Sequence, residues 1–294
     1  MNKRLKLFAQ VMLGKHIFNI LKTLKTDFYD KKGQLSHAQE GEDRVLSSLL
    51  YKLHGGRQIN DGFYVDVGAH HPYRYSNTCL FYKQGWRGIN IDAMPGSMSA
   101  FRKQRPRDIN LESGIAREAG TRKLYLFNEP ALNTFDESLA SARCNDDWPI
   151  ETTVDVPMVP LSEILRKYLP SGKAINFLTV DVEGFDLEVL QSNDWQKYRP
   201  TVVLVETLGL TIDDLTSDPV TAYLRSLGYV AYAKTVNTTF FTDNTFAQTE
   251  AVRHSNRLEP DITPARTKPD RQPKVSSEDG QNQILDCPGN LLHG

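Results

Sequence analysis

The sequence predicts a doubly wound α/β domain with a mostly parallel, seven-stranded sheet, a terminal antiparallel hairpin and an N-terminal helical extension. Three observations lead to this fold class. From Gly62 onward, short runs rich in β-branched and aromatic residues alternate with longer mixed segments. The first five runs are nearly continuously apolar, as are parallel strands covered by helices on both faces. Two more such runs follow each other closely near the end of the domain, which is typical of a hairpin.

The expected strands leave room for a crossover helix after each of the first, second, fourth and fifth runs. In chain order they are FYVDV (63–67), GINID (88–92), INLES (109–113), INFLTVDV (175–182), TVVLVET (201–207), YVAYAK (229–234) and TTFFTD (238–243). The crossover helices are predicted in residues 78–85, 96–104, 186–198 and 219–228.

Two regions depart from this alternation. Residues 124–160 hold a short strand, a polar stretch from Asn128 to Pro149 and an extended run before a helix at 161–168. An insertion of this kind over a sheet edge often shapes a substrate site. Residues 251–294 carry five of the fifteen prolines and few large apolar residues, which predicts a disordered tail. The predicted domain therefore covers residues 36–250.

The first 35 residues form the predicted helical extension. Residues 1–32 contain eight Lys or Arg and two Asp, and apolar residues recur there at spacings of three and four. Such a basic amphipathic helix either docks on the domain or makes a peripheral contact with an anionic membrane surface. It is too short to span a bilayer, and it lacks a signal-peptide cleavage site. The expected location is cytoplasmic, with membrane association through residues 1–32 as the alternative.

The composition excludes some classes of site. Three widely separated cysteines, Cys79, Cys144 and Cys287, show no CxxC pairing, which favours a reducing compartment and excludes a structural zinc. The net charge is −1, so the balance gives no basis for a nucleic-acid partner. Oligomeric state is not indicated.

Acidic residues end four of the five predicted parallel strands. Asp66, Asp92, Asp181 with Glu183, and Glu206 occupy these positions. Ligands of doubly wound sheets bind at the carboxyl ends of the strands. Any one of these acids could instead cap the following helix, but their recurrence on four strands favours a ligand site.

The turn after the first strand narrows the ligand. DVGAHHPYR has one glycine, whereas the dinucleotide fingerprint GxGxxG needs three. S-adenosylmethionine suits an acidic rim better, because a carboxylate can accept hydrogen bonds from both ribose hydroxyls and the others complement the amine and the sulfonium. An NAD(P)-dependent oxidoreductase and a non-catalytic cofactor- or partner-binding module remain alternatives.

Three segments resemble one family of methyltransferases. VDVGAHHPYRYSNT (65–78) is similar to the first motif of class I S-adenosylmethionine-dependent methyltransferases, and specifically of the FkbM family, where VDVGAN is common. GWRGINIDAMP (85–95) resembles the ribose-binding segment of that family, and LTVDVEGFDLEVL (178–190) resembles its signature around the fourth strand. With SHAQEGEDRVLSSLL (36–50), the resemblance extends from residue 36 to about 245 and implies a Rossmann-like methyltransferase sheet.

The resemblance implies roles for individual residues. The reaction would be O-methylation of a hydroxyl, most often on a sugar of a glycan or glycosylated precursor. Asp181, Glu183 and His71 are the expected catalytic residues, with the two acids facing the transferred methyl. The expected cofactor ligands are Asp66, Gly68 and His70 at the methionine part, Asp92 and Ala93 at the ribose, and Ser113, Gly114 and Ile115 near the adenine. His70 departs from the family pattern, in which asparagine is usual.

Methyl transfer to a hydroxyl needs a base or a metal that takes or acidifies its proton. Asp181 and Glu206 end neighbouring strands, so they are candidates for a shared Mg²⁺ site as well as for the base. The predicted substrate-binding residues are Tyr73 and Tyr75 as lid or stacking groups, Asn133 in the insertion, and Glu206. Among the other histidines only His37 is kept as a candidate, since it lies in the upstream stretch of the resemblance.

Overall fold

The computed structural model describes residues 35–245. The predicted N-terminal helix and C-terminal tail lie outside the described residues. The helices are α1 (Glu42–Leu53), α2 (Cys79–Lys83), α3 (Met98–Gln104), α4 (Glu137–Arg143), α5 (Leu161–Tyr168), α6 (Asp186–Gln191) and α7 (Pro219–Ser226). The strands are β1 (Phe63–Val67), β2 (Arg87–Asp92), β3 (Ile109–Glu112), β4 (Gly114–Ile115), β5 (Gly120–Phe127), β6 (Ile150–Val159), β7 (Phe177–Val180), β8 (Val202–Glu206), β9 (Tyr229–Lys234) and β10 (Thr238–Asp243).

Seven of these strands form the main sheet, in the order β3-β2-β1-β7-β8-β10-β9. Neighbouring strands are parallel, except that β10 runs antiparallel to both β8 and β9. The predicted fold class is therefore confirmed, including the terminal hairpin. Because β1 lies between β2 and β7, the residues that follow these three strands meet at one edge of the sheet.

The strands alternate their side chains between two apolar layers. Val65 and Leu178 face a core formed with α5, α6 and α7. Tyr64, Phe177 and Leu204 face the second core, which includes α1 and α2. This period-2 burial on both faces explains why the strands read as continuous apolar runs in the sequence.

The predicted helix over residues 186–198 is too long, since α6 ends at Gln191. The hydroxyl of Ser192 donates to the Val189 carbonyl at 2.6 Å, and the Trp195 indole N–H donates to the Leu190 carbonyl at 2.8 Å. These side-chain bonds satisfy carbonyls at the helix end, so the chain turns there.

The insertion is more ordered than its polar sequence suggests. Strands β5 and β6 pair antiparallel, and β4 joins β6 in parallel, giving a separate three-stranded sheet. The polar stretch from Asn128 to Pro149 contains α4, whose first turn is capped by the Asp136 carboxylate accepting from the Leu139 N–H at 2.9 Å. Within residues 35–245, no helix is both long and apolar enough to cross a membrane.

Candidate active site

A cavity of about 570 Å³ lies between the carboxyl edge of the main sheet and the insertion. It is called the central cavity below. Its floor comes from the ends of β1, β2, β7 and β8, and its walls come from the loops that follow them and from residues 130–143. The predicted site residues that line it are Gly68, His70, His71, Tyr75, Asp92, Ala93, Ser113, Gly114, Ile115, Asn133, Asp181, Glu183 and Glu206.

Gly68 allows the ends of β1 and β7 to approach each other. Its φ of +84° lies in the left-handed region, and a Cβ built on it would stand 1.7 Å from the Asp181 carbonyl oxygen. Its N–H donates to the Ile91 carbonyl at 2.9 Å. A side chain at this position would push β1 and β7 apart, so glycine is required for the floor of the cavity.

Asp92 is held by two backbone amides. Its Oδ2 accepts from the His70 N–H at 2.9 Å, and its Oδ1 accepts from the Met94 N–H at 2.9 Å. Burial raises the pKa of this carboxyl, and the two N–H donors oppose that rise. Because each carboxylate oxygen can accept a further hydrogen bond, Asp92 can receive both hydroxyls of a ribose.

His70 presents a ring nitrogen without a protein partner. Its backbone is in the left-handed region, with φ of 51°, and its ring stacks on Tyr75 with centroids 6.2 Å apart. Within the described chain, Nε2 is buried and has no hydrogen-bond partner. Burial lowers the pKa of His70. A neutral imidazole nitrogen left unpaired beside the cavity fits a ligand that supplies the missing hydrogen bond.

His71 lines the cavity, but its hydrogen bonds oppose the predicted role as a base. Its Nδ1 accepts from the backbone N–H groups of Tyr73 at 3.1 Å and Arg74 at 3.0 Å. This assigns the ring hydrogen to Nε2, which leaves no free basic nitrogen. Burial, followed by the charges of Arg74 and Arg105, lowers the pKa of His71. The structure therefore indicates that His71 stabilises the turn through these two hydrogen bonds.

Asp66 and Tyr73 are not among the residues that line the cavity. The Asp66 carboxylate is buried and accepts from the Thr78 hydroxyl at 2.9 Å. Burial raises the pKa of Asp66 to about 6. Tyr73 is 41% exposed. The structure therefore does not support direct binding of cofactor by Asp66 or of substrate by Tyr73.

Arg105 holds the loop that carries the two histidines, and the sequence did not reveal it. The residue is fully buried, and its guanidinium donates to the Pro72 carbonyl at 2.5 Å, to the Ser76 hydroxyl at 2.7 Å and to the Thr78 hydroxyl at 2.7 Å. In the sequence it lies among several basic residues after α3, which are typical of an exposed helix end. Only its buried position in the folded structure distinguishes Arg105 from the neighbouring basic residues.

Three carboxylates form the acid cluster of Asp181, Glu183 and Glu206. One oxygen from each lies within 4.8 Å of the other two. Asp181 is exposed by its accessible surface and lines the cavity. Burial first, and then Glu206 and Glu183, raise the pKa of Asp181 well above its usual value. Burial and the neighbouring acids Glu183 and Asp186 raise the pKa of Glu206 to about 8.

The insertion supplies the counter-charge of the acid cluster. Arg143, at the end of α4, pairs with the Glu183 carboxylate and also donates to the Leu132 carbonyl at 3.3 Å. Thr134 donates from its hydroxyl to the Glu183 carbonyl at 2.9 Å and supports the left-handed backbone at that residue, where φ is 54°. Neither Arg143 nor Thr134 was predicted from the sequence, since nothing in the polar stretch distinguishes them.

The predicted Mg²⁺ site on Asp181 and Glu206 fits the structure only in part. The carboxylate oxygens are close enough to share an ion. Arg143 already provides positive charge to the third carboxylate of the cluster. Magnesium binding therefore stays a hypothesis. The guanidinium of Arg143 already reduces the repulsion among the three carboxylates.

The opposite side of the cavity is largely apolar. Ala93, Met94, Leu124 and Phe135 line it beside the predicted adenine segment Ser113–Ile115. Asn133, predicted to bind substrate, is bonded within the protein: its Oδ1 accepts from the Phe127 N–H at 2.9 Å.

Two residues with side-chain amides that were not predicted, Gln39 and Asn237, also line the cavity. His37 is not among the lining residues, and its Nε2 lies 3.0 Å from the Lys83 ammonium.

The chain is similar to one protein family and to a curated protein. The model of the family described as Methyltransferase FkbM domain matches residues 66–231, more than half of the chain. A curated relative, the methyltransferase sdnD of Sordaria araneosa, is 33% identical over 115 residues. That alignment covers 32% of this chain and 44% of the relative, so the chain spans less than half of that protein's length.

Two solved structures are also similar. A TehB-like SAM-dependent methyltransferase from Corynebacterium glutamicum has 9% identity and a TM-score of 0.35, covering 78% of this chain and 98% of that one. A precorrin-6y C5,15-methyltransferase from Geobacter metallireducens has 14% identity and a TM-score of 0.33, covering 72% and 94%. The family match includes the ends of β1, β2, β7 and β8, which form the floor of the central cavity.

Proposed function

Because the chain belongs to the FkbM methyltransferase domain family, we propose that it is an S-adenosylmethionine-dependent O-methyltransferase. The proposed acceptor is a hydroxyl on a sugar of a glycan or glycosylated precursor. The observation that carries this proposal is the acid cluster in the central cavity, where burial and mutual repulsion raise the pKa of Asp181 and Glu206.

The cofactor would lie along the β1, β2 and β3 side of the cavity. Asp92 accepts the ribose hydroxyls, and the unpaired Nε2 of His70 bonds a polar group of the methionine part. Residues 113–115 and the apolar side chains of Met94, Leu124 and Phe135 would surround the adenine. When bound, S-adenosylmethionine supplies an electrophilic methyl on a sulfonium, whose positive charge suits the neighbouring carboxylates.

The acceptor reacts by in-line displacement. With S-adenosylmethionine bound, the acceptor oxygen would take the methyl carbon as the carbon–sulfur bond breaks, and S-adenosylhomocysteine would leave with the electron pair of that bond. The hydroxyl proton passes to a carboxylate of the acid cluster. Asp181 is the proposed base, because it is exposed at the cavity and because its raised pKa makes it a stronger base than an ordinary carboxylate.

Calorimetry with S-adenosylhomocysteine, NAD and NADP tests the cofactor. We expect heat with S-adenosylhomocysteine alone. Binding of NAD or NADP without S-adenosylhomocysteine would replace this proposal by that of an oxidoreductase.

A second assay tests turnover with S-adenosylmethionine and a panel of hydroxyl acceptors, read by mass spectrometry as a gain of one methyl. We expect a methylated product. Cofactor binding without methylation of any acceptor would support the non-catalytic module instead.

A further inference from the structure

We propose that the side-chain amides of Gln39 and Asn237 bind the acceptor and select one that carries neutral hydrogen-bonding groups beside the reacting hydroxyl. The inference rests on the proposed function, since it assigns two residues to the part of the same cavity that would hold the acceptor. Neither residue was predicted to contact a ligand, and both line the central cavity.

The strand order separates the two halves of the cavity. Asp181 follows β7, with β1 and the proposed cofactor wall on one side and β8 on the other. Glu206 ends β8 and lies opposite Thr238 of β10. The Thr207 N–H donates to the Asn237 carbonyl at 2.6 Å. Asn237 is therefore fixed next to the acid cluster, on the side away from the cofactor wall.

Glu40 connects the two amide-bearing segments. Its carboxylate accepts from the Asn237 N–H at 2.9 Å, although the two residues are 197 positions apart in the chain. The Glu40 N–H in turn donates to the Glu42 carboxylate at 2.8 Å, at the start of α1. The backbone of Asn237 is thus bonded to the carboxylate of Glu40, which directly follows Gln39 in the chain, so the two amide-bearing residues lie at the same rim.

The two side-chain amides are unused within the protein. Among residues 35–245, no hydrogen bond joins the side-chain amide of Gln39 or Asn237 to another group. The amide of Asn133, in the same cavity, is by contrast bonded to the Phe127 N–H and to the Met94 sulfur. Free amides at a cavity wall can donate and accept, which suits an acceptor with several hydroxyls or amides.

The surrounding charges oppose an anionic acceptor. The acid cluster lines this half of the cavity, and the Glu40 carboxylate accepts from the Asn237 N–H beside it. Arg143 pairs with Glu183, Arg74 pairs with Glu129, and the Lys234 ammonium donates to the Val236 carbonyl at 2.8 Å and to Thr207. An acceptor with a carboxylate or phosphate beside its reacting hydroxyl would bring a further negative charge to the acids, while the two arginines of the cavity already pair with carboxylates.

The test uses the full chain with Gln39→Leu, Asn237→Leu and Asn237→Asp. Asn237→Asp keeps the shape of the side chain but removes its two N–H donors, so it serves if Asn237→Leu fails to fold. The acceptors are neutral methyl hexosides and their uronate counterparts. Each variant is measured for S-adenosylhomocysteine affinity by calorimetry and for acceptor KM and kcat. The matched control is Gln196→Leu, an exposed glutamine at a distance from the cavity.

We expect each cavity variant to raise the acceptor KM by about tenfold, with cofactor affinity and kcat changed by no more than about threefold. Wild-type kcat/KM for a neutral hexoside should exceed that for its uronate by about tenfold or more. Unchanged KM in the variants, equal use of uronates, or methylation of other hydroxyl acceptors but of no hexoside would overturn the inference alone. The absence of S-adenosylhomocysteine binding, or of methylation of any acceptor, in the wild type would overturn the proposed function itself.

Discussion

Two aspartates flank β1 at the carboxyl edge of the sheet, and they differ in what surrounds them. Asp92 ends β2 and receives two backbone N–H groups. Asp181 follows β7, and in the described part of the chain its carboxylate receives no hydrogen bond and faces two other acids. Burial raises the pKa of both, but only Asp92 has donors that oppose the rise.

The comparison shows how one residue type serves two purposes in one cavity. A carboxylate held by backbone amides has a fixed direction, which suits the binding of a ligand. A carboxylate crowded by like charges and open to a cavity holds a proton more tightly, which suits proton transfer. We therefore assign Asp92 to the cofactor and Asp181 to the chemistry, and the following experiments test that division.

The largest effect is expected from Gly68→Ala, because Gly68 allows the ends of β1 and β7 to approach each other. The new Cβ would overlap the Asp181 carbonyl, so we expect a loss of roughly 3 kcal/mol or more in the free energy of unfolding, measured in urea. Gly96→Ala is the matched control, since Gly96 has the same φ of +84° and no atom within 4 Å of the added Cβ. Its loss should be about 1 kcal/mol. Equal losses in both variants would show that the close approach of β1 and β7 does not matter.

Asp181→Asn should reduce turnover by about a hundredfold or more, because asparagine cannot accept the hydroxyl proton. The affinity for S-adenosylhomocysteine should stay within about threefold of the wild type. Single-turnover methyl transfer and calorimetry measure the two quantities. If turnover persists at the wild-type rate, Asp181 is not the base, and Glu206 becomes the candidate.

Asp92→Ala should have the opposite pattern. Loss of charge-assisted hydrogen bonds to the ribose is expected to weaken S-adenosylhomocysteine binding by about 1.5 to 3 kcal/mol. Asp61→Ala, at an exposed aspartate paired with Lys173, is the control and should leave that affinity unchanged. Wild-type affinity in Asp92→Ala would remove Asp92 from the cofactor site.

Glu206→Gln tests whether the acid cluster raises the pKa of its carboxyl groups. The test measures how the free energy of unfolding depends on pH. The pKa of Glu206 is raised from 4.5 to about 8. Below pH 4.5 the carboxyl is protonated in both the folded and the unfolded state. Between these values the folded state keeps a proton that the unfolded state has released, so the free energy of unfolding falls as pH rises and the loss is complete above about pH 8.

Glutamine resembles the protonated carboxyl and avoids this loss. Relative to the wild type, Glu206→Gln should therefore gain stability between pH 4.5 and 8, measured by urea unfolding in buffers with EDTA. A stability difference that is constant across this range would show that Glu206 has an ordinary pKa.

The smallest effect is expected from removal of metal. Because Arg143 already neutralises part of the acid cluster, we expect EDTA to change the methylation rate by less than about twofold. Loss of activity that Mg²⁺ restores would instead establish the magnesium site on Asp181 and Glu206 and would replace the carboxylate base by a metal-activated hydroxyl.

The sequence by itself determined the sheet and the positions of the acids. A strand can be recognised from a short stretch of sequence. Strands buried on both faces have continuous apolar runs, such as 63–67 and 202–206. A carboxylate that follows such a run must lie at the ligand edge of a parallel sheet. Gly68, Asp92 and Asp181 could therefore be placed from the sequence, and the structure brings them together at one cavity.

The tertiary structure decided what each of these groups experiences. Arg143 reaches Glu183 from 40 positions away, and Glu40 meets Asn237 from 197 positions away. Arg105 is fully buried, although its sequence neighbourhood reads as an exposed basic segment. Hydrogen-bond donors and pKa values depend on such distant partners, which have no local pattern in the chain. The sequence thus located the acids, and only the folded structure gave grounds for distinguishing the proposed cofactor-binding acid, Asp92, from the proposed base, Asp181.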